Sequence, residues 1–171
     1  MAENLEIPGR MSVRSPMQWS DGPNGGFSTA PADKVFRPVV SGSKWGPKAI
    51  NVAAQEHEAD SMLNWMERLI RRRREMPEVA FGQWSFIPFP DAAIFALRYD
   101  WEDRTVLLLH NLGKRPCKTR CQLEGADAFD AMTAILGDGG FEIAKDGTIS
   151  IELPAFGTLW LRAHAAARVT T

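Results

Sequence analysis

The chain has 171 residues, of which 44% are hydrophobic and 24% charged, as is typical of a folded globular protein. Its formal net charge of −1 argues against electrostatic capture of nucleic acid or of an anionic membrane surface. The apolar runs are too short to span a membrane, and the N-terminus has neither the basic start nor the apolar stretch of a signal peptide. We therefore expect a cytoplasmic protein with no nucleic-acid or membrane partner.

Residues 1–50 are rich in glycine, proline and serine and have little hydrophobic periodicity. Residues 20–26, SDGPNGG, are a strong turn signal, and Pro31, Pro38 and Pro47 keep the remainder extended or looped. A free domain rarely devotes about fifty residues to irregular chain. The composition therefore predicts that this segment packs against a further partner surface.

One helix is predicted over residues 60–76, where either Asp60 or Ser61 can cap the N-terminus. Apolar residues recur at spacings of three and four and form one face: Met62, Leu63, Met66, Leu69 and Ile70. The four arginines at 71–74 suit the negative end of the helix dipole. Nucleic-acid binding is the alternative interpretation of these arginines, but no aromatic platform accompanies them. Pro77 is expected to end the helix.

From about residue 82 the hydrophobic period changes to two, which predicts short strands separated by polar turns. The predicted strands are residues 83–89, 93–99, 105–112, 117–123, 129–136, 148–153 and 157–163. Strands of this length and spacing indicate an antiparallel sandwich or barrel.

The two cysteines, Cys117 and Cys121, fall in one predicted strand. Their spacing places both on one face but about 13 Å apart along an extended strand, which is beyond the reach of a disulfide. They do not form a CxxC pair, and no second Cys or His pair completes a zinc site. We expect two structural thiols and no bound metal.

Three motifs near the N-terminus carry a family resemblance: RSPMQW at residues 14–19, NGGFS at 24–28 and INVAAQ at 50–55. In this order they resemble the segment after the eighth barrel strand in glycoside hydrolase family 13, the α-amylase family. They are most similar to the branch of trehalose synthases (maltose α-D-glucosyltransferases) and oligosaccharide α-glucosidases. There the strings read R-T-P-M-Q-W, N-A-G-F-S and V-N-V-E-A-Q.

The resemblance extends over nearly the whole chain, from MAEN at residues 1–4 to FGTLWL at 156–161. It implies a mainly β chain in which residues 1–80 are the loop-rich tail and last helix of a (β/α)8 barrel. Residues 81–164 would then be a C-terminal antiparallel β-sandwich, and 165–171 a frayed tail. Gly9 and Met11 depart from the branch, which carries Asp at both positions of a D-R-D triplet, and Ser15 replaces Thr.

The resemblance implies that the catalytic carboxylates lie on barrel strands four, five and seven, all of which would precede Met1. Retaining glycosidases use two carboxylates about 5–5.5 Å apart, and family 13 adds a third. Glu102 and Asp103 are instead expected in a solvated turn, His57-Glu58 is not an HExxH motif, and His110 is expected to be structural. We predict no catalytic residue, metal or cofactor in this chain, and no activity of the chain by itself.

The same resemblance implies that the chain carries part of a sugar site. Arg10 and Arg14 offer guanidinium forks that can bind vicinal hydroxyls or orient a carboxylate. Gln18 offers an amide donor and acceptor, and Trp19 offers an apolar face for a pyranose ring. Anchoring of the loop in the barrel rim is an open alternative for Trp19 and the favoured interpretation for Phe27.

The leading hypothesis is a fragment of a retaining α-glucoside-acting enzyme of carbohydrate metabolism, with maltose- or trehalose-type substrates. Two reactions remain open. One is transfer by a glucosyltransferase, which includes isomerisation of maltose and trehalose, and the other is hydrolysis. Two alternatives are a free-standing carbohydrate-binding β-sandwich and a scaffold domain that works with a separately encoded barrel. The binding module predicts a line of exposed aromatics on one sheet face. Its candidates are Trp84, Trp101 and Trp160, but Trp84 and Trp160 are expected to pack inward.

Overall fold

The computed structural model describes residues 14–126 and 129–165. The chain divides into two compact units, Met1–Arg68 and Leu69–Thr171. The expectations for MAEN, Gly9, Arg10 and Met11 lie outside the described residues, as does the predicted frayed tail beyond Ala165.

Residues 14–51 of the first unit are mostly irregular, as the composition predicts. The unit contains two 3-10 turns, Pro23–Gly26 and Ala32–Lys34, and a short helix α1, Val52–His57. Asn24 and Gly25 have φ angles of 53° and 65°, in the left-handed region that Gly and Asn tolerate best. The Asn24 side chain holds this turn, because its amide nitrogen donates to the carbonyls of Ser28 (2.8 Å) and Ala30 (2.7 Å).

Helix α2 spans Met62–Arg74, within the predicted range. Ser61 rather than Asp60 caps it, since the backbone amide of Asn64 donates to the Ser61 hydroxyl at 3.2 Å. Pro77 follows the helix as expected and begins a further short helix, α3, Pro77–Phe81, which the sequence did not predict. No α2 residue is fully buried. Leu69 of the apolar face is half-buried, whereas Met62 is 68% and Ile70 53% exposed.

The part of the chain that the structure describes contains eight strands in two antiparallel sheets. They are β1 Gln83–Phe86, β2 Ile94–Trp101, β3 Arg104–Asn111, β4 Cys117–Gln122, β5 Phe129–Gly137, β6 Gly140–Ile143, β7 Thr148–Leu153 and β8 Thr158–Ala165. The five-stranded sheet has the order β1-β2-β3-β8-β5 and the three-stranded sheet the order β4-β7-β6. This arrangement confirms the predicted mainly β fold with an antiparallel β-sandwich.

Strand β6 is the one described strand that the sequence pattern does not predict. Gly137 to Gly140 had indicated only a turn, yet β6 begins at Gly140 and pairs with β7 from Gly140↔Glu152 to Ile143↔Ile149. A four-residue edge strand that starts on glycine has too little alternation to be recognised. Strand β1 is shorter than predicted. The amide of Ile87 still donates to the carbonyl of Ala96 on β2, but the amide of Phe89 turns back to the carbonyl of Ile87.

The main core lies between the two sheets and is built by alternate residues of each strand. Its fully buried members are Leu107, Leu109, Ile149, Ile151, Leu153, Leu159 and Leu161, each at most 1% exposed. Burial of one such side chain contributes roughly 1.5–3 kcal/mol. The alternate, inward-facing residues of β3, β7 and β8 therefore hold the two sheets together.

A second apolar cluster covers the other face of the five-stranded sheet. Val106, Leu108 and Trp160 pack there with Met76, and Leu69 and Val79 lie against them. Trp160 is 6% exposed, which confirms that it is packed inside the protein and does not belong to an exposed line of aromatics.

A buried ion pair ties α3 to β8 beside this cluster. Glu78 is fully buried, and its Oε1 lies 3.1 Å from Nε of Arg162. A second guanidinium nitrogen of Arg162 donates to Glu78 Oε2 and to the carbonyl of Glu75, both at 3.3 Å. Each of the two charges therefore has the other as its counterion, and their contacts fix α3 over the sheet.

Replacing Glu78 with alanine should destabilise the chain by about 3 kcal/mol, because it leaves the Arg162 guanidinium partly buried without a counterion. Urea unfolding at pH 7, followed by circular dichroism, measures the loss. Glu152→Ala is the matched control, since the Lys118–Glu152 pair is exposed (77% and 64%) and should contribute at most about 1 kcal/mol. Equal losses for the two variants would contradict a structural role for the buried pair.

Both cysteines are free thiols on β4, with Cys117 buried and Cys121 half-buried. Burial raises the pKa of each thiol to about 11, and for Cys117 a hydrogen bond to Asp91 acts in the same direction. The thiols therefore stay protonated at neutral pH, as expected for structural cysteines.

Alkylation of the folded chain by iodoacetamide at pH 8 should be at least about tenfold slower than alkylation of the urea-unfolded chain, because only the thiolate reacts. The rate for the folded chain should keep rising with pH toward 11. Mass spectrometry after quenching measures both rates. A rate that levels off just above pH 8.5, as for a free thiol, would contradict the raised pKa values of the two thiols.

Candidate functional site

The RSPMQW and INVAAQ motifs are joined at the N-terminus of α1. The backbone amides of Val52 and Ala53 donate to the carbonyls of Gln18 (2.9 Å) and Trp19 (3.0 Å). The amide of Ala54 donates to Oδ1 of Asn51 at 2.8 Å. The first amides of a helix have no partner within the helix, so RSPMQW supplies two of the acceptors that α1 needs.

The Gln18 side chain strengthens the same junction. Its amide nitrogen donates to the carbonyls of Ile50 (2.9 Å) and Trp45 (3.2 Å). Its Oε1 is buried and has no hydrogen-bond partner among the described residues. Gln18 is predicted to bind sugar, but its side-chain nitrogen already donates hydrogen bonds within the chain.

The NGGFS turn is hydrogen-bonded to the same junction through one backbone carbonyl. Gly25 accepts hydrogen bonds from the backbone amides of Trp19 (2.7 Å) and Ser20 (3.0 Å). We call residues 14–20, 24–28 and 50–55 the motif cluster. Three segments that are separated in sequence form one site in the structure.

Two cavities open on the motif cluster. One of about 260 Å³ is lined by Ser15, Met17 and Gln18 together with Asn51 and Gln55. Another of about 620 Å³ is lined by Asn24 and Gly25 and by residues 38–43. The larger cavity falls in the size range of small-molecule sites.

The predicted contact residues lie at the surface of the first unit. Arg14 is exposed, and Trp19 and Phe27 are 49% and 51% exposed. Arg10 lies outside the described residues. Both aromatic rings are thus available to a sugar or to a further protein surface.

Asn51 and Trp45 belong to the site but were missed in the sequence. Asn51 caps α1 and also donates from its side chain to the carbonyl of Pro47 at 2.8 Å. An asparagine just before a short helical segment is a capping signal, and this signal could have been used. Trp45 contributes a backbone carbonyl to Gln18, which side-chain type cannot reveal.

The residues considered as independent catalytic groups occupy ordinary structural positions. Glu102 and Asp103 form the turn between β2 and β3, where Glu102 has a φ of 54°. His110 bonds through Nδ1 to the Thr158 hydroxyl at 2.9 Å, and burial lowers its pKa. No group of three or more His, Cys, Asp or Glu residues that could hold a metal ion occurs within 14–126 and 129–165.

No helix in the described part of the chain has both the length and the apolar character needed to cross a membrane.

Comparison with known proteins identifies the relatives of this chain, although no protein-family profile matches it. The trehalose synthase/amylase TreS of Mycobacterium tuberculosis is 28% identical over 167 residues, which cover 95% of this chain and 27% of the relative. The trehalose synthase of Thermus thermophilus is 31% identical over 116 residues, or 67% of this chain and 12% of the relative. The chain is a relative of the family 13 glycoside hydrolases.

Solved structures of the same family share the fold. The α-amylase from H. orenii superposes with a TM-score of 0.64 at 24% identity, covering 90% of this chain and 28% of that enzyme. The trehalulose synthase MutB from Pseudomonas mesoacidophila gives a TM-score of 0.68 at 21% identity, covering 95% and 27%. The chain thus spans about a quarter of the length of several family 13 relatives that it matches.

One tryptophan of the sandwich is more exposed than the sequence predicts. The prediction that Trp84 packs inward was wrong, since it is 60% exposed on the edge strand β1. Its ring lies 5.5 Å from that of Phe86, which lies 5.9 Å from that of Phe95. Residues of an edge strand have only one neighbouring strand to pack against, and these three rings form an exposed aromatic row.

Replacing Asn51 with alanine should loosen the motif cluster, because it removes both the α1 cap and the bond to Pro47. We expect hydrogen exchange of the Val52, Ala53 and Ala54 amides to quicken about fivefold, which corresponds to roughly 1 kcal/mol for a lost cap. Asn51→Asp is the matched control, since it keeps the capping oxygen and loses only the donor. Unchanged exchange in the alanine variant would contradict the capping role.

Proposed function

We propose that this chain is the C-terminal part of an α-glucoside-acting enzyme and that it supplies one wall of a sugar site. The intact enzyme would cleave an α-glucosidic bond of a maltose- or trehalose-type sugar with retention and pass the glucosyl unit to a hydroxyl or to water. The observation that carries the proposal is the motif cluster, in which all three family 13 motifs meet through hydrogen bonds.

The exposed apolar side chains of the first unit support the need for a further surface. Phe36 is 90% exposed, and Met17, Trp19, Phe27 and Trp45 are each about half exposed. Single exposed apolar residues are common, but a concentration of them indicates a contact region. A catalytic barrel is the partner that we propose for it, with residues 1–80 as its tail and 81–164 as the sandwich.

Within this site, we assign direct sugar contacts to Arg10, Arg14 and Trp19. A guanidinium can donate to two adjacent hydroxyls, and an indole offers an apolar face to a pyranose ring. Gln18 would act mainly by holding the loop, because its amide nitrogen already binds two carbonyls. The catalytic carboxylates would come from the barrel, so the chain alone would be inactive, and its expected compartment is the cytoplasm.

A chimera tests this proposal. The 167 aligned residues of the M. tuberculosis trehalose synthase/amylase are replaced by this chain, and interconversion of maltose and trehalose is measured. We expect activity in the chimera and a fall in kcat/KM of at least about tenfold for Arg14→Ala, which is the loss of roughly 1.4 kcal/mol of transition-state binding.

Arg120→Ala is the control in the same chimera, since Arg120 is exposed on β4, and it should leave kcat/KM unchanged. Equal effects of the two substitutions would overturn the site assignment. The unmodified chain should not turn over maltose or trehalose, and clear turnover would overturn the proposal that the carboxylates lie elsewhere. Activity that appears when the chain is mixed with a separate barrel would favour the scaffold alternative.

A further inference from the structure

The inward face of β2 is apolar at the start of the strand and charged toward its end. Ile94 and Ala96 join the core between the sheets. The next two residues on that face are Arg98 and Asp100, which pair in register with Leu107 and Thr105 of β3. A sandwich interior is normally filled with apolar side chains, so a charged pair at these positions departs from the pattern. Such departures concentrate at functional sites.

The charged pair lines a cleft at this corner of the sandwich. The cleft has a volume of about 460 Å³ and lies between β1, β2 and the chain after β4. Its lining includes Ser85, Phe86, Arg98, Asp100, Gln122 and Gly125. All of these residues belong to the second unit, whereas the motif cluster belongs to the first.

The polar groups of the cleft are held in fixed positions. Nε of Arg98 donates to Asp100 Oδ2 at 2.7 Å, and one terminal nitrogen donates to the carbonyl of Glu124. The Thr105 hydroxyl donates to Asp100 Oδ1 at 2.6 Å. The two charged side chains remain 19% and 43% exposed. A ligand would therefore meet an ordered donor and acceptor whose side chains lose little further freedom on binding.

We propose that this cleft binds a neutral saccharide of one or two rings. The charges of Arg98 and Asp100 cancel, and the nearby Glu124 disfavours an anionic ligand. A guanidinium beside a carboxylate offers donors and acceptors to adjacent hydroxyls. Ser85 of β1 pairs in register with Arg98 and adds a hydroxyl to the same cleft. The volume lies within the range of small-molecule sites.

Titration of the ¹⁵N-labelled full chain with maltose, followed by NMR, tests the proposal. We expect saturable shifts of the Ser85, Arg98, Asp100 and Gly125 amides with a Kd in the millimolar range. Asp100→Asn keeps the side-chain shape and should weaken binding at least about tenfold, because the ligand loses a charged acceptor. Asp103→Asn, in the turn after β2, is the control and should leave the Kd unchanged.

Further variants keep the test decisive if Asp100→Asn does not fold. Ser85→Leu fills the cleft at an exposed residue and should also abolish the shifts. Trp84→Ala, which alters the aromatic row but not the cleft lining, should leave binding intact. Three outcomes would each overturn the proposal. They are loss of binding only in the Trp84 variant, a stronger response to inorganic phosphate than to maltose, and no shifts at about 50 mM maltose. These readouts do not depend on the chimera, so the cleft and the proposed function fail separately.

Discussion

The fold depends on the fact that the central strand β3 is apolar on both faces. Leu107 and Leu109 face the core between the sheets, while Val106 and Leu108 face the opposite side. Such a strand needs a cover on each side, since each exposed apolar side chain would forgo roughly 1.5–3 kcal/mol. The three-stranded sheet provides one cover, and the end of α2 with α3 provides the other. The buried Glu78–Arg162 pair then fixes α3 in place.

The motif cluster is organised by the hydrogen-bonding needs of a short helix rather than by an apolar core. Helix α1 has six residues, so most of its backbone groups are unpaired within the helix. The carbonyls of Gln18 and Trp19 pair two of them. This arrangement explains why RSPMQW and INVAAQ belong together. It also leaves Arg14 and the ring of Trp19 at the surface, where they can contact a ligand or a further protein surface.

The two units differ in how they expose aromatic and charged groups. In the first unit, exposed apolar side chains accompany the family motifs, and we propose that a catalytic barrel covers them. In the second unit, a polar cleft interrupts the inward face of a sandwich, and an aromatic row lies on β1 and β2. Under the two proposals, the chain would contribute to carbohydrate binding in each of its two units, and each contribution has its own test.

The sequence alone determined the family, the helix over α2 and seven of the eight described strands. These features depend on local patterns, namely motif strings, apolar spacing and turn residues. It did not determine β6, because a short edge strand that begins on glycine carries almost no alternation. Only the tertiary structure decided that Gln18 binds the carbonyls of Ile50 and Trp45, that Trp84 stays exposed, and that Arg98 and Asp100 share a cleft. Each of these outcomes depends on which distant segments meet, and a side chain cannot signal that by its type.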